Sequence, residues 1–135
     1  MIPEDFFLYE YAVIRYVPRV DREEFINIGL VMMCKRQKWL KGEIYINEQK
    51  IKAIDPFVNI SKIEKQTVYF TRQDVPSSDI PVEEKYRWLT SIKSAVLQTS
   101  QSHPGCINVA GGPDKLPQKK MLEQEFSRLF HNLVF

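Results

Sequence analysis

The sequence predicts an α+β domain: a four-stranded antiparallel sheet in the order 3-2-1-4 with helices packed on one face. Three observations predict it. Apolar runs rich in β-branched and aromatic residues recur between Leu8 and Asn47, the composition that suits a pleated, half-buried surface. The connections between them are too short for a crossover, so successive strands must pair antiparallel. Past Asn47 the apolar spacing lengthens from two to three or four residues, so strands and helices are segregated along the chain rather than alternating.

The first strand, Leu8 to Val17, is stopped by Pro18, and the turn runs from Arg19 to Glu23. The second, Glu24 to Lys35, is too short and too rich in Ile and Val for a free helix. Gly29 inside it marks a bulge or a close backbone approach. After a polar break at Arg36 to Lys38 comes the third strand, Trp39 to Asn47, with Leu40, Ile44 and Ile46 on one face at period two. Gln49 to Ile54 makes a short helix ending before Pro56. Ile60, Ile63, Thr67 and Phe70 recur at helical spacing between Asn59 and Thr71, although Thr67 to Thr71 also reads as a strand. Asp74 to Pro81 is a Pro- and Ser-rich loop, and Pro81 suits the first turn of a helix running through Tyr86 to Thr90. Ser94 to Ser100 is the fourth strand, and Gln101 to Leu116 a loop broken by Gly111, Gly112 and Pro113. The last helix, from Pro117 to about Val134, carries Leu122, Phe126, Leu129, Phe130 and Leu133 on one stripe that needs an apolar partner.

Composition narrows the function classes. One domain over residues 1–135 buries roughly two thirds of its unfolded surface and needs no metal or disulfide to hold it. A formal charge of +2 is too small to argue for nucleic acid or a membrane, so any electrostatic case rests on local clustering. Cys34 and Cys106 lack ligand or disulfide spacing. Cys34 ends an apolar strand, where a thiol acts as a small hydrophobe, so a reducing cytoplasm is the simpler expectation. The N-terminal stretch lacks a basic leader-like region, and the uncharged run Phe25 to Cys34 is about half of what a bilayer span requires.

The segments RYVP (Arg15 to Pro18), REEF (Arg22 to Phe25), NIG (Asn27 to Gly29), RWLT (Arg87 to Thr90), SAVLQTSQSHPG (Ser94 to Gly105) and FSRLFHNLV (Phe126 to Val134) together resemble domain-of-unknown-function family 3037 of bacteria. The resemblance spans nearly the whole chain in the right order. The chain departs from the family pattern in a shorter stretch from Asn59 to Ser78, in Lys93 where Arg is usual, and in Thr99 and Gln101 where prolines are usual. The resemblance implies no activity. Its genes often neighbour those of HipA-like protein kinases, a toxin-antitoxin-like context that implies a partner rather than a reaction.

No complete catalytic set emerges. His103 and Cys106, with His131 and Cys34 distant in sequence, lack the paired spacing of a zinc site, so neither metal nor cofactor is expected. Asp21, Glu23 and Glu24 lie among Arg19 and Arg22 and read as a self-compensated turn more readily than as a cation site or an acid-base pair. Glu48, Gln49 and Lys50, with Asp21 upstream, are similar to the carboxylate and lysine set of restriction-type nucleases, yet no firmly placed acid pair accompanies them. Lys35, Arg36, Lys38, Trp39 and Lys41 set cations around an aromatic ring, as a strand that stacks on bases would. The same residues also describe a lysine-guarded edge strand, the preferred reading.

The polar residues inside apolar segments are the main site candidates. Arg15 on the first strand, Asn27 on the second, Gln98 on the fourth, Arg87 on the preceding helix and His103 beyond the strand converge if the fourth strand lies beside the first. Two arginines beside a histidine suit a phosphate or carboxylate; the alternative is that the groups satisfy one another, Arg15 with Glu24 for example. Trp39, on a strand without a later neighbour, is the candidate for an exposed interaction patch. The leading functional expectation is a small, non-catalytic cytoplasmic interaction module working with a HipA-like kinase or another larger partner. The alternative is a nucleotide- or nucleic-acid-processing enzyme built on Arg15, Arg87, Gln98 and His103.

Overall fold

The computed structural model describes residues 6–71, 79–91, 96–108 and 118–135. The start of the predicted fourth strand, most of the Pro- and Ser-rich loop, Lys93, and the Gly111 to Pro113 break lie outside these residues. At the centre stands β1 (Phe6–Tyr16). Its alternation sends Phe7, Tyr9 and Val13 into one buried cluster, and Ala12, Ile14 and Tyr16 into another on the opposite face. A strand apolar on both sides needs cover on both sides.

β2 (Ile26–Cys34) pairs antiparallel with β1 from Glu10↔Met33 to Ile14↔Gly29, then slips so that Arg15 faces Asn27. Ile28 is the extra residue, so the bulge falls where Gly29 predicts it. β3 (Trp39–Ile44) pairs antiparallel with β2. The turn between them closes through Lys38 N–H donating to the Lys35 carbonyl at 3.1 Å, with Lys38 at φ 51°.

Three helices follow: α1 (Glu48–Ile54), α2 (Ile60–Thr71) and α3 (Val82–Thr90). Asn47 and Asn59 cap the first two, each side-chain oxygen accepting from the backbone N–H three residues on. Helix wins over strand at Thr67 to Thr71 because helical spacing buries Ile63, Thr67 and Phe70 together. Pro81 stands one place ahead of α3, at the N-cap, its carbonyl accepting from Glu84 and Lys85 N–H.

β4 (Leu97–Thr99) pairs with the end of β1, and β5 (His103–Asn108) with its beginning. The order β3-β2-β1-β4 is the expected one, with β5 added. Ser100 bridges the two short strands: its Oγ accepts from Val13 N–H at 2.9 Å, and its own N–H donates to the Val13 carbonyl at 2.8 Å. Thr99 donates its hydroxyl to the Thr90 carbonyl at the end of α3.

The expected loop at His103 to Asn108 is therefore a strand. Pro104 and Gly105 read as breakers, yet proline is tolerated on a sheet edge, and Gly105 is where the Tyr9 ring crosses: a Cβ there would sit 2.1 Å from it.

α4 (Gln118–Leu133) closes the fold. Leu122, Phe126 and Leu129 pack against Phe7, Tyr9, Val13, Leu30 and Met32. On the other face Ile51, Ile63, Phe70, Tyr86 and Leu89 of α1–α3 pack against Ala12, Ile14, Val31 and Leu40. Placing all the helices on one face is thus corrected. The near-continuous apolar run from Ile28 to Cys34 is what a strand covered on both sides requires.

Candidate functional site

Opposed residues of an antiparallel pair share a face, and Arg15 is opposed by Asn27 on β2 and Gln98 on β4. These three form a row across the sheet on the α4 side. Asn27 Nδ2 donates to the Leu133 carbonyl at 2.9 Å, satisfying one of the acceptors that a helix leaves open at its C-terminal end. The Arg15 guanidinium lies 4.2 Å from the centroid of the Phe25 ring, a cation-π contact. Arg15 Nε and Asn27 Oδ1 are buried without a hydrogen-bond partner. Glu24, the alternative partner for Arg15, pairs instead with Arg22.

The other two members do not join the row. Arg87 is exposed on α3, whose buried Tyr86 and Leu89 pack on the opposite face of the sheet. His103 is exposed on β5 opposite Tyr11, with ring centroids 5.3 Å apart. Tyr11 is four residues from Arg15 along β1, about 13 Å at strand rise, so His103 and Arg15 are out of hydrogen-bond reach. The expected cluster of Arg15, Arg87, Gln98 and His103 is not assembled, because strand register fixes two of the four while α3 turns the third to solvent.

Trp39 is corrected as well. It is 8% exposed and meets Phe126 edge-on at 6.3 Å, while Lys41 pairs with Glu123 at 2.6 Å and lies over the same Phe126 ring. The indole belongs to the α4 core and offers no surface for stacking. Lys35, Arg36 and Lys38 remain exposed at the hairpin tip. In the β1–β2 turn Arg19 pairs with Asp21 at 2.8 Å, so its charges compensate as expected. The acidic side chain stays below the ordinary carboxylate range because Arg19 hydrogen-bonds it.

Cys34 is buried, and burial raises its thiol pKa; Cys106 is exposed on β5, and His131 stacks on Phe135 at 5.7 Å. Among the described residues no group of three His, Cys, Asp or Glu side chains is arranged to hold a metal ion. Nor is any helix among them long and apolar enough to cross a membrane.

Tyrosine-carboxylate links tie helices to β1, and sequence reasoning missed them. Tyr9 donates to Glu125 Oε2 at 2.6 Å, and Arg128 Nε donates to Glu125 Oε1 at 2.6 Å. The hydrogen bond from Arg128 holds the Glu125 carboxyl below its ordinary pKa; burial opposes this and Tyr9 assists it. Burial, then the bond to Glu125, pushes the Tyr9 phenol above its usual range. Tyr16 likewise donates to Asp55 at 2.6 Å, and its pKa is pushed up to about 12, by burial first and then by Asp55. Tyr9 and Tyr16, polar-tipped rings in a largely apolar strand, were the available signal.

A further concavity lies elsewhere. Leu8 and Glu10 of β1 point to the α1–α3 side, but the buried cluster on that side takes in β1 only from Ala12 onward. Leu8 is left 47% exposed. With Tyr9, Met33, Lys35, Arg36 and Pro104 these residues line a groove of about 720 Å³, within the usual size of ligand sites. Its walls are mostly apolar. Lys35 and Arg36 stand at one end, Arg36 with its guanidinium 4.8 Å from the Phe7 ring centroid. Glu10 stands between Pro104 and Met33 in the strand register, accepting from Ser102 Oγ at 3.1 Å, and that hydroxyl is 2.7 Å from Tyr86 Oη. Burial pushes the Tyr86 phenol up to about 12. Leu8 and Glu10 gave no sequence signal, since one exposed leucine in a strand is ordinary.

Fold and surface together define a small α+β domain whose antiparallel sheet is covered on both faces by the described helices, except at one end. The chain belongs to the family described as protein of unknown function (DUF3037), which it matches over residues 11–134. No curated protein and no solved structure matches it.

Proposed function

We propose that the protein is a non-catalytic, cytoplasmic interaction module that docks a larger partner through the groove at Leu8, Met33 and Pro104. The partner proposed first is the HipA-like kinase whose gene often neighbours those of the family. One observation carries the reading: Leu8 and Pro104 lie beyond the buried cluster under the described helices α1–α3, whose margin is Met33, and a concavity of this volume is within the range of binding sites. Two further observations favour recognition over reaction. Asn27 holds the end of α4, and Arg15 and Arg87 occupy opposite sides of the sheet, so the polar residues do not converge on one open position. The free thiols of Cys34 and Cys106 fit a reducing compartment.

Co-expression of the two proteins followed by size-exclusion chromatography tests this. A co-eluting complex, lost on Leu8→Asp and kept on Trp39→Phe, is the expected result. Separate elution of the unaltered pair, with no heat of binding at micromolar concentration in calorimetry, refutes the kinase as partner. A complex that survives Leu8→Asp refutes the groove.

A further inference from the structure

The groove specifies the chemistry of what fills it, an inference that rests on the docking role just proposed. Its floor crosses three adjacent strands along the row Pro104 on β5, Glu10 on β1 and Met33 on β2, with the exposed Leu8 two residues along β1, on the face that α1–α3 cover elsewhere. Strands about 4.8 Å apart make this crossing comparable to the width of one α-helix, about 10 Å. A helix laid here would extend the layer the chain already builds on that face. An added strand would need the sheet edge instead, and on β5 that edge carries Pro104, which has no N–H to donate.

Charge supplies the second constraint. Lys35 and Arg36 line one end, and Lys38 is exposed in the same turn. Glu10, the carboxylate in this lining, stands between Pro104 and Met33 in the strand register and accepts from Ser102, so the cations lining the groove outnumber it two to one. The cationic end therefore selects acidic side chains beside the apolar stripe.

We propose that the groove binds a short amphipathic helix of a partner protein, with leucine-like residues on one stripe and acidic residues flanking it.

The test uses the full chain and two fluorescein-labelled peptides of about 14 residues. Both carry leucines at i, i+3, i+4 and i+7 in an alanine background; one has glutamates at the flanking positions and the other lysines. Anisotropy titrations should give the glutamate peptide a dissociation constant at least roughly tenfold lower than the lysine peptide. Backbone amide shifts should concentrate at Leu8, Glu10, Met33, Lys35 and Gly105. Leu8→Asp should abolish binding with the thermal midpoint retained, and Lys35→Glu should narrow the preference. Equal or tighter binding of the lysine peptide, shifts centred on α4, or no binding of either peptide would overturn the proposal. Its failure is separable from that of the docking role: if neither peptide binds while Leu8→Asp still releases the co-expressed kinase, the groove remains a docking site and the helix chemistry falls.

Discussion

Substituting Gly42 by alanine tests the packing that positions α2 against the sheet. A Cβ at Gly42 would lie 2.0 Å from the carbonyl oxygen of Phe70 and 3.0 Å from its carbonyl carbon and from Val31 Cγ2. Ordinary contact begins at 3.4 Å, so the end of α2 has to retreat by more than 1 Å, the difference of those two distances. The obstacle is backbone, and a rotamer change cannot relieve it. Phe70 is 2% exposed and seated with Ile63 in the core, so retreat also loosens its packing. Overpacking of this kind costs about 1 to 3 kcal/mol, and a backbone obstacle places Gly42→Ala near the upper end. For a domain of this size that corresponds to a thermal midpoint lowered by roughly 10 °C. Urea unfolding followed by tryptophan fluorescence measures it, with the buried Trp39 as a reporter. A midpoint for Gly42→Ala within about 0.5 kcal/mol of the parent would refute the close approach of α2 to β3.

Asn27→Ala removes the bond to the Leu133 carbonyl and with it the unpartnered Oδ1; the two effects oppose, and a net loss of about 1 kcal/mol in urea unfolding is expected. The Glu125 pKa is depressed in the folded state, so its contribution is present above the unfolded carboxylate pKa of about 4.3 and is lost as pH falls through the lower folded value. Glu125→Gln should flatten the acid limb of the stability-pH curve relative to the parent, and an unchanged limb would remove Glu125 as a source of acid sensitivity. Cys106 should react with a thiol reagent in the native protein while the buried Cys34 reacts only on unfolding; two equally fast thiols would contradict the placement of β2.

The meander of β1, β2 and β3 was legible because side-chain alternation and short connections are local properties, written in consecutive residues. So was the bulge at Gly29. β5 was hidden because Pro104 and Gly105 are read as breakers unless the edge position and the overlying Tyr9 ring are known, and both are tertiary facts. The same holds for the site. Strand register sets Arg15, Asn27 and Gln98 in one row, and the sequence placed all three on neighbouring strands. The rotation of α3, which turns Arg87 to solvent, depends on how Tyr86 and Leu89 dock, and no local pattern encodes it. Trp39 was misplaced for a related reason: β3 is indeed outermost, but α4 reaches across to it through Phe126.

Polar residues in an apolar strand invite a functional reading, yet in this fold they mark where helices are fastened. Tyr9 with Glu125, Tyr16 with Asp55, and Asn27 with the Leu133 carbonyl each join β1 or β2 to a helix or helix end. Such bonds are directional, so they select one seating of a helix among the several that apolar packing alone would allow. Among the described residues this fastening stops beyond Ala12 toward the start of β1, where the proposed docking groove lies. Leu8 stays half exposed on the face where Ala12, Ile14 and Tyr16 are buried. That exposure is accounted for if a partner completes the layer, which ties the interaction reading to the architecture and makes Leu8, rather than Arg15 or Trp39, the residue on which it stands or falls.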